Sequence, residues 1–95
     1  MGPLSNIRIL DLTRVWAGPL GTRYLADFGA EVIKIESDRY AEAGRLAQGG
    51  PPLFPENNRG KLGITLDFQH PEGRELIKRL VEVSDVVVEN FSAGV

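Results

Sequence analysis

A strand–helix–strand pattern occurs twice along this chain, and that alternation restricts the possible folds more than any other feature. Ile7–Leu12 and Val32–Ile35 are short aliphatic runs rich in β-branched residues, as in strands covered on both faces. Between them Leu20, Tyr24, Leu25 and Phe28 recur at helical spacing, with Arg23 and Asp27 on the other side. This predicts an amphipathic crossover helix whose apolar stripe meets the sheet. Pro19 suits a first helical turn and Gly29 a C-terminal cap, so the helix is bounded at those residues. The second unit places a strand at Leu62–Leu66 and a helix starting at Pro71. Glu72 and Glu75 favour its dipole, Leu76, Ile77, Leu80, Val81 and Val83 form its buried stripe, and a fourth strand follows at Asp85–Val88.

Two such units imply an α/β fold with a parallel sheet and right-handed crossovers. The segments that leave the four strands, Thr13–Trp16, Ser37–Arg39, Asp67–Gln69 and Asn90–Phe91, then share one sheet edge, where ligands bind in this architecture. Residues 37–60 hold Gly44, Gly49-Gly50-Pro51-Pro52 and Pro55 with only isolated apolar residues, which reads as one long loop, functional or mobile. The 95 residues make one small domain. A chain of this size buries roughly 60–65% of its unfolded surface.

Composition excludes several function classes. The formal net charge is -2, with both signs interspersed and no Lys/Arg run, so a nucleic-acid partner is not expected. Cysteine is absent, which removes disulfides, thiolate catalysis and thiolate zinc sites, and a single histidine leaves little scope for a metal. No basic leader or long apolar run occurs, so no membrane contact is expected and a cytoplasmic location is.

The chain lacks the usual phosphate signatures: Gly18-Pro19-Leu20-Gly21 is not Gly-x-Gly-x-x-Gly, and Arg59-Gly60-Lys61-Leu62-Gly63 has no Walker lysine. A helix N-terminus at Ala17-Gly18 remains, whose free N–H groups and positive dipole end suit an anion. Trp16 either stacks on a flat ligand or covers the sheet end, and burial is the weightier reading. Arg14, Arg39, Arg45, Arg59 and Lys61 each read as a phosphate contact or a solvated surface charge. His70 and Asp67 read first as capping and turn residues. Glu89-Asn90-Phe91 divides evenly between ligand contact and strand termination. No catalytic triad, carboxylate pair or metal cluster can be assembled.

Several segments in order resemble the family III CoA-transferases. They are Pro3–Thr13, Ala17-Gly18-Pro19, Leu25–Glu36, Asn58-Arg59-Gly60-Lys61, Ile64–Asp67, Pro71-Glu72-Gly73-Arg74 and Asp85–Phe91. The resemblance implies the N-terminal part of a longer protein, namely the first half of a Rossmann-like CoA-binding domain with four strands and two main helices. It places CoA contacts at Trp16, Ala17, Ser37, Leu66, Asp67, Phe68, Gln69, Asn90, Phe91 and Ser92. It also implies a CoA thioester and a carboxylic acid as substrates, no tightly bound cofactor, and a homodimeric full-length parent. The carboxylate that performs covalent catalysis is implied to lie beyond Val95, so no catalytic residue is assigned here and the isolated chain is expected to be silent. Trp16, Ser37 and Gln69 replace polar or basic residues of the formyl-CoA-transferring members, which leaves the acyl group open. Two other readings are a racemase of the same superfamily, with proton removal beside a thioester carbonyl, and a stand-alone assembly module that uses uncovered sheet surface.

Overall fold

The computed structural model describes residues 2–14, 17–37 and 58–91. Within them lie β1 (Arg8–Asp11), α1 (Ala17–Asp27), β2 (Glu31–Ser37), β3 (Leu62–Leu66), α2 (Pro71–Glu82) and β4 (Val86–Val88). The strands form one sheet in the order β3-β2-β1-β4, and every neighbouring pair is parallel. This is the expected α/β arrangement. Its strand order reverses at β1, so β1 and β4 flank the topological switch point where such sheets open a crevice. Most of the predicted 37–60 loop falls outside the described residues.

Successive side chains on a strand face opposite ways, and this divides the core in two. Ile9, Ala30 and Val32 pack with Leu4, Ile7, Ala26 and Val88 on the α1 side. Leu10, Ile33 and Ile35 pack with Leu12, Ile64, Leu66, Phe68, Ile77 and Leu80 on the α2 side. The two helices therefore cover opposite faces of the sheet.

Helix α1 corrects the expected stripe. Tyr24 is 51% and Phe28 56% exposed, whereas Pro19 and Thr22 are the buried residues and Ala26 meets the core. The helix is turned so that its small and hydroxyl-bearing side lies on the sheet. The physical reason is Asp11, a carboxylate on the sheet beneath α1 to which Thr22 donates a hydrogen bond of 2.6 Å; a Leu or Phe there would leave a buried charge without that donor. The helix also begins at Ala17, two residues before the predicted start, because a proline within the first turn forfeits no intrahelical bond. At its C-terminus Gly29 adopts φ 105°, Gly29 N donates to Ala26 O and Ala30 N to Leu25 O. That pair of bonds is the Schellman cap.

In α2 the half-buried Ile77 and Leu80 carry the packing, while Leu76, Val81 and Val83 of the expected stripe are exposed. His70 caps the helix, accepting from Glu72 N at Nδ1 (3.1 Å), and Pro71 follows at the first helical positions. Gly73 lets the first turn lie against the end of β3, since a Cβ there would sit 2.1 Å from Asp67 O. Gly73→Ala is therefore expected to lower stability by about 1–3 kcal/mol, the usual effect of overpacking, as read from urea denaturation. An unchanged midpoint would show that α2 can shift freely.

Candidate ligand crevice at the carboxyl edge of the sheet

All four strands end on one edge, and the predicted contact residues that are described lie there. Ser37 closes β2 beside Leu66 of β3, its partner in register. Ala17 opens α1 and is exposed. Trp16 and Ser92 lie outside the described residues, as do Arg39 and Arg45.

The two loops at the switch point are joined by one side chain. Asn90 accepts from Arg14 N at Oδ1 (3.0 Å) and donates from Nδ2 to Arg14 O (2.9 Å). Its amide thus joins the β1 and β4 exits, a third role beside the ligand contact and strand end weighed from sequence. The first turn of α1 sits close against this bridge. A Cβ on Gly18 would lie 2.6 Å from Thr13 Cβ and 3.2 Å from Asn90 Nδ2, so glycine permits the approach. The helix N-terminus, whose first N–H groups have no intrahelical partner and whose dipole end is positive, lies at the switch point.

The β3 exit is a tight turn. Asp67 Oδ1 accepts from Gln69 N (2.9 Å) and Asp67 O from His70 N (3.2 Å). The Arg74 guanidinium forks onto two carbonyls, donating from Nε to Phe68 O (3.0 Å) and from Nη2 to Gln69 O (3.1 Å). The turn and capping readings of Asp67 and His70 therefore hold. Leu66 and Phe68 pack into the α2-side core, which leaves the exposed Gln69 side chain at the edge. Across the β4 exit, Phe91 N donates to Glu89 Oε2 (2.8 Å), and Phe91 is half-buried.

Beneath α1 lies a group of polar residues that sequence reasoning did not single out. Asp11 is fully buried, and its Oδ1 accepts from the Thr13 backbone N (2.8 Å) and from the Thr13 hydroxyl. Its Oδ2 accepts from the Thr22 hydroxyl (2.6 Å) and pairs with Lys61 Nζ (2.7 Å). The Lys61 ammonium also donates to Asn58 Oδ1 (2.7 Å) and Pro19 O (3.0 Å). Its side chain is only 2% exposed, so both sequence readings of Lys61, phosphate contact and solvated charge, are corrected. A third charge, Lys34, is buried and donates from Nζ to Thr13 O (2.8 Å). A signal was present: Arg8, Asp11 and Lys34 are the charges inside runs read as covered on both faces, and a buried charge in such a strand must be paired; of the three, Arg8 lies in the open beside Glu31. Arg59, by contrast, is an exposed ion-pair partner of Asp27 at 3.2 Å.

Burial pushes the Asp11 carboxyl upward, but hydrogen bonds from Lys61, Thr13 and Thr22 and the Lys61 charge more than offset it. The group is held below its ordinary value of 3.8. A lowered folded pKa means that the unfolded chain takes up the proton first as the pH falls. Asp11 thus contributes stability above about pH 3.8 that is lost as the pH drops through its folded value.

Residues 4–95 match CoA-transferase family III. The chain belongs to that family. It is 44% identical to the succinyl-CoA:mesaconate CoA-transferase of Haloarcula hispanica, covering 99% of this chain and 26% of that protein. It is 46% identical to the succinyl-CoA–D-citramalate CoA-transferase of Chloroflexus aurantiacus, covering 97% and 24%. A crystal structure of Rv3272 from Mycobacterium tuberculosis superposes with a TM-score of 0.91 at 40% identity, covering 99% of this chain and 26% of that one. A CAIB/BAIF family protein from Brucella suis gives 0.88 at 42%, covering 98% and 27%. This family III chain therefore spans about a quarter of the length of these relatives. Among its described residues no group of three or more His, Cys, Asp or Glu could hold a metal, and no helix is long and apolar enough to cross a membrane.

Two outcomes test the buried network. Lys61→Met strands a buried carboxylate and should lower stability by about 3–5 kcal/mol, measured by denaturant titration at pH 7. In an acid series followed by circular dichroism, Asp11→Asn should be less stable than wild type at pH 7 and lose stability less steeply below pH 4. Parallel curves would remove Asp11 from the acid response.

Proposed function

We propose that this chain is the N-terminal, CoA-binding part of a family III CoA-transferase, whose whole protein moves CoA between an acyl-CoA thioester and a carboxylic acid. The observation that carries the reading is the arrangement at the β1–β4 switch point. There an α-helix N-terminus, the Asn90 bridge and the β1 and β4 exits converge, in a chain that belongs to this family. The 44% and 46% identical relatives named above are CoA-transferases, which supports transfer over racemisation.

In this reading the α1 N-terminus receives a phosphate of the CoA nucleotide, where backbone N–H donors and dipole favour negative charge. Ala17 borders one end of the ligand, Asn90 and Phe91 its switch-point side, and Ser37 with Leu66–Gln69 the far side of the sheet edge, while Trp16 and Ser92 enter as contacts through the family resemblance alone. Leu66 and Phe68 act mainly by seating the turn, and Gln69 offers its amide to the ligand. β3 and β4 stand three strand spacings apart, about 14 Å, a span suited to an extended pantetheine-nucleotide rather than a compact metabolite. The covalent carboxylate chemistry belongs to the remainder of the protein, as does the homodimer that the family resemblance implies; the cytoplasmic setting follows from the lack of a basic leader and of a long apolar run.

The chain should bind CoA and catalyse nothing. Titration with CoA should give a saturable change in Trp16 fluorescence, with no CoA exchange between succinyl-CoA and a free dicarboxylate. Gly18→Val, which fills the space against Thr13 and Asn90, should weaken CoA at least about tenfold, the scale of a disturbed ligand geometry. A flat titration combined with a concentration-dependent mass would instead favour an assembly module. Exchange activity abolished by changing one acid of this chain would overturn the assignment of chemistry.

A further inference from the structure

We propose that Lys34 is a positioning residue for the ligand loop after β1, holding the Thr13–Arg14 peptide from the α1 side of the sheet while Asn90 holds the same peptide from the β4 exit. The proposal rests on the CoA-binding reading above for its consequence, but the clamp itself stands on geometry.

In a trans peptide the carbonyl and the following N–H point in opposite directions. Here the Thr13 carbonyl accepts from Lys34 Nζ at 2.8 Å, and the Arg14 N–H donates to Asn90 Oδ1 at 3.0 Å. One planar unit is therefore gripped at both ends. Asn90 Nδ2 adds a third bond to Arg14 O at 2.9 Å, which fixes the next peptide as well. Rotation of the Thr13–Arg14 unit would break bonds on both sides at once.

The side chain required for the Lys34 position follows from the register. Lys34 pairs with Asp11 across β2 and β1, and Thr13 lies two residues further along. The separation is about 8 Å, from one strand spacing sideways and two residues of rise. Only a long side chain that ends in a donor reaches a carbonyl over that distance. Lys34 is 2% exposed, and burying an ammonium is strongly unfavourable unless its donors are used. Asp11 completes the enclosure by accepting Thr13 N at 2.8 Å, so the loop leaves β1 with consecutive backbone groups held.

This clamp bears on the crevice because α1 docks onto it. The space above Gly18 is bounded by Thr13 and by the Asn90 amide, the two residues that border the held peptide. Its orientation therefore sets how the helix N-terminus faces the β4 exit.

The test compares Lys34→Met, Lys34→Arg, Asn90→Ala and the Lys34→Met/Asn90→Ala double variant in the 95-residue chain, with Val32→Ala as a destabilised core control. Amide hydrogen exchange at Arg14, read by NMR, and CoA affinity, read by calorimetry, are measured on each. Lys34→Met and Asn90→Ala should each speed Arg14 exchange and weaken CoA by roughly tenfold, the scale of one lost ordered hydrogen bond. The double variant should be no weaker than the poorer single, because both act on one peptide. Lys34→Arg, which keeps a donor, should retain most of both properties, and Val32→Ala should leave both unchanged. If Lys34→Met does not fold, Asn90→Ala and Lys34→Arg decide. Unchanged Arg14 exchange in Asn90→Ala, loss of Arg14 protection in Lys34→Arg, or multiplicative losses in the double variant would overturn the clamp. A wild-type chain that fails to bind CoA while Arg14 exchange responds as described would support the clamp and sink the CoA reading.

Discussion

The fold turns on one buried carboxylate. Asp11 stands at the end of the central strand β1, and its oxygens gather a lysine from the segment before β3, a threonine from α1 and both donors of Thr13. Removing a carboxylate from water is unfavourable by several kcal/mol unless each lone pair is met. Here the need is met by parts of the chain far apart in sequence, which must therefore assemble together. Lys61 ties the strap entering β3 to α1 through Pro19 O and to β1 through Asp11. Such a network adds little net stability over an apolar core, but it joins helix, strap and sheet at one point.

From that constraint the orientation of α1 follows. The helix presents Pro19, Thr22 and Ala26 to the sheet and turns Tyr24 and Phe28 outward, against the stripe its apolar spacing suggests. Hydrophobic periodicity locates a face on the assumption that the opposing surface is apolar. Beneath α1 the sheet is half apolar and half ionic, so the assumption fails over the first turns and holds only toward Ala26. The outward aromatic stripe, like the exposed valines of edge strand β4, belongs to a chain that spans about a quarter of its relatives' length.

The same buried network underlies the crevice. Asp11 and Lys34 hold Thr13 by its N–H and its carbonyl, Asn90 holds Arg14, and Gly18 permits α1 to close on them. At the other end of the edge Arg74 and Asp67 wind the β3 exit into a turn. The edge thus has two halves, one held by buried charge and one by the first turn of α2.

The alternation of aliphatic runs with helical spacing, the proline and glycine at helix ends, and the ordered motifs were sufficient by themselves for the parallel α/β sheet, the common edge and the family. Local chemistry carries that information: strand composition, first-turn proline, a positive-φ cap at Gly29 and the His70 cap are each decided within a few residues. What only the tertiary structure decided is which polar groups are spoken for. Asp11 and Lys34 announce only that they need partners, and Lys61 not even that, because the groups that meet them, across the sheet, on α1 and in the strap before β3, are far away in sequence. Asn90 and Arg14 are 76 residues apart. Their pairing depends on β4 crossing back to lie against β1, a long-range choice that no local pattern encodes.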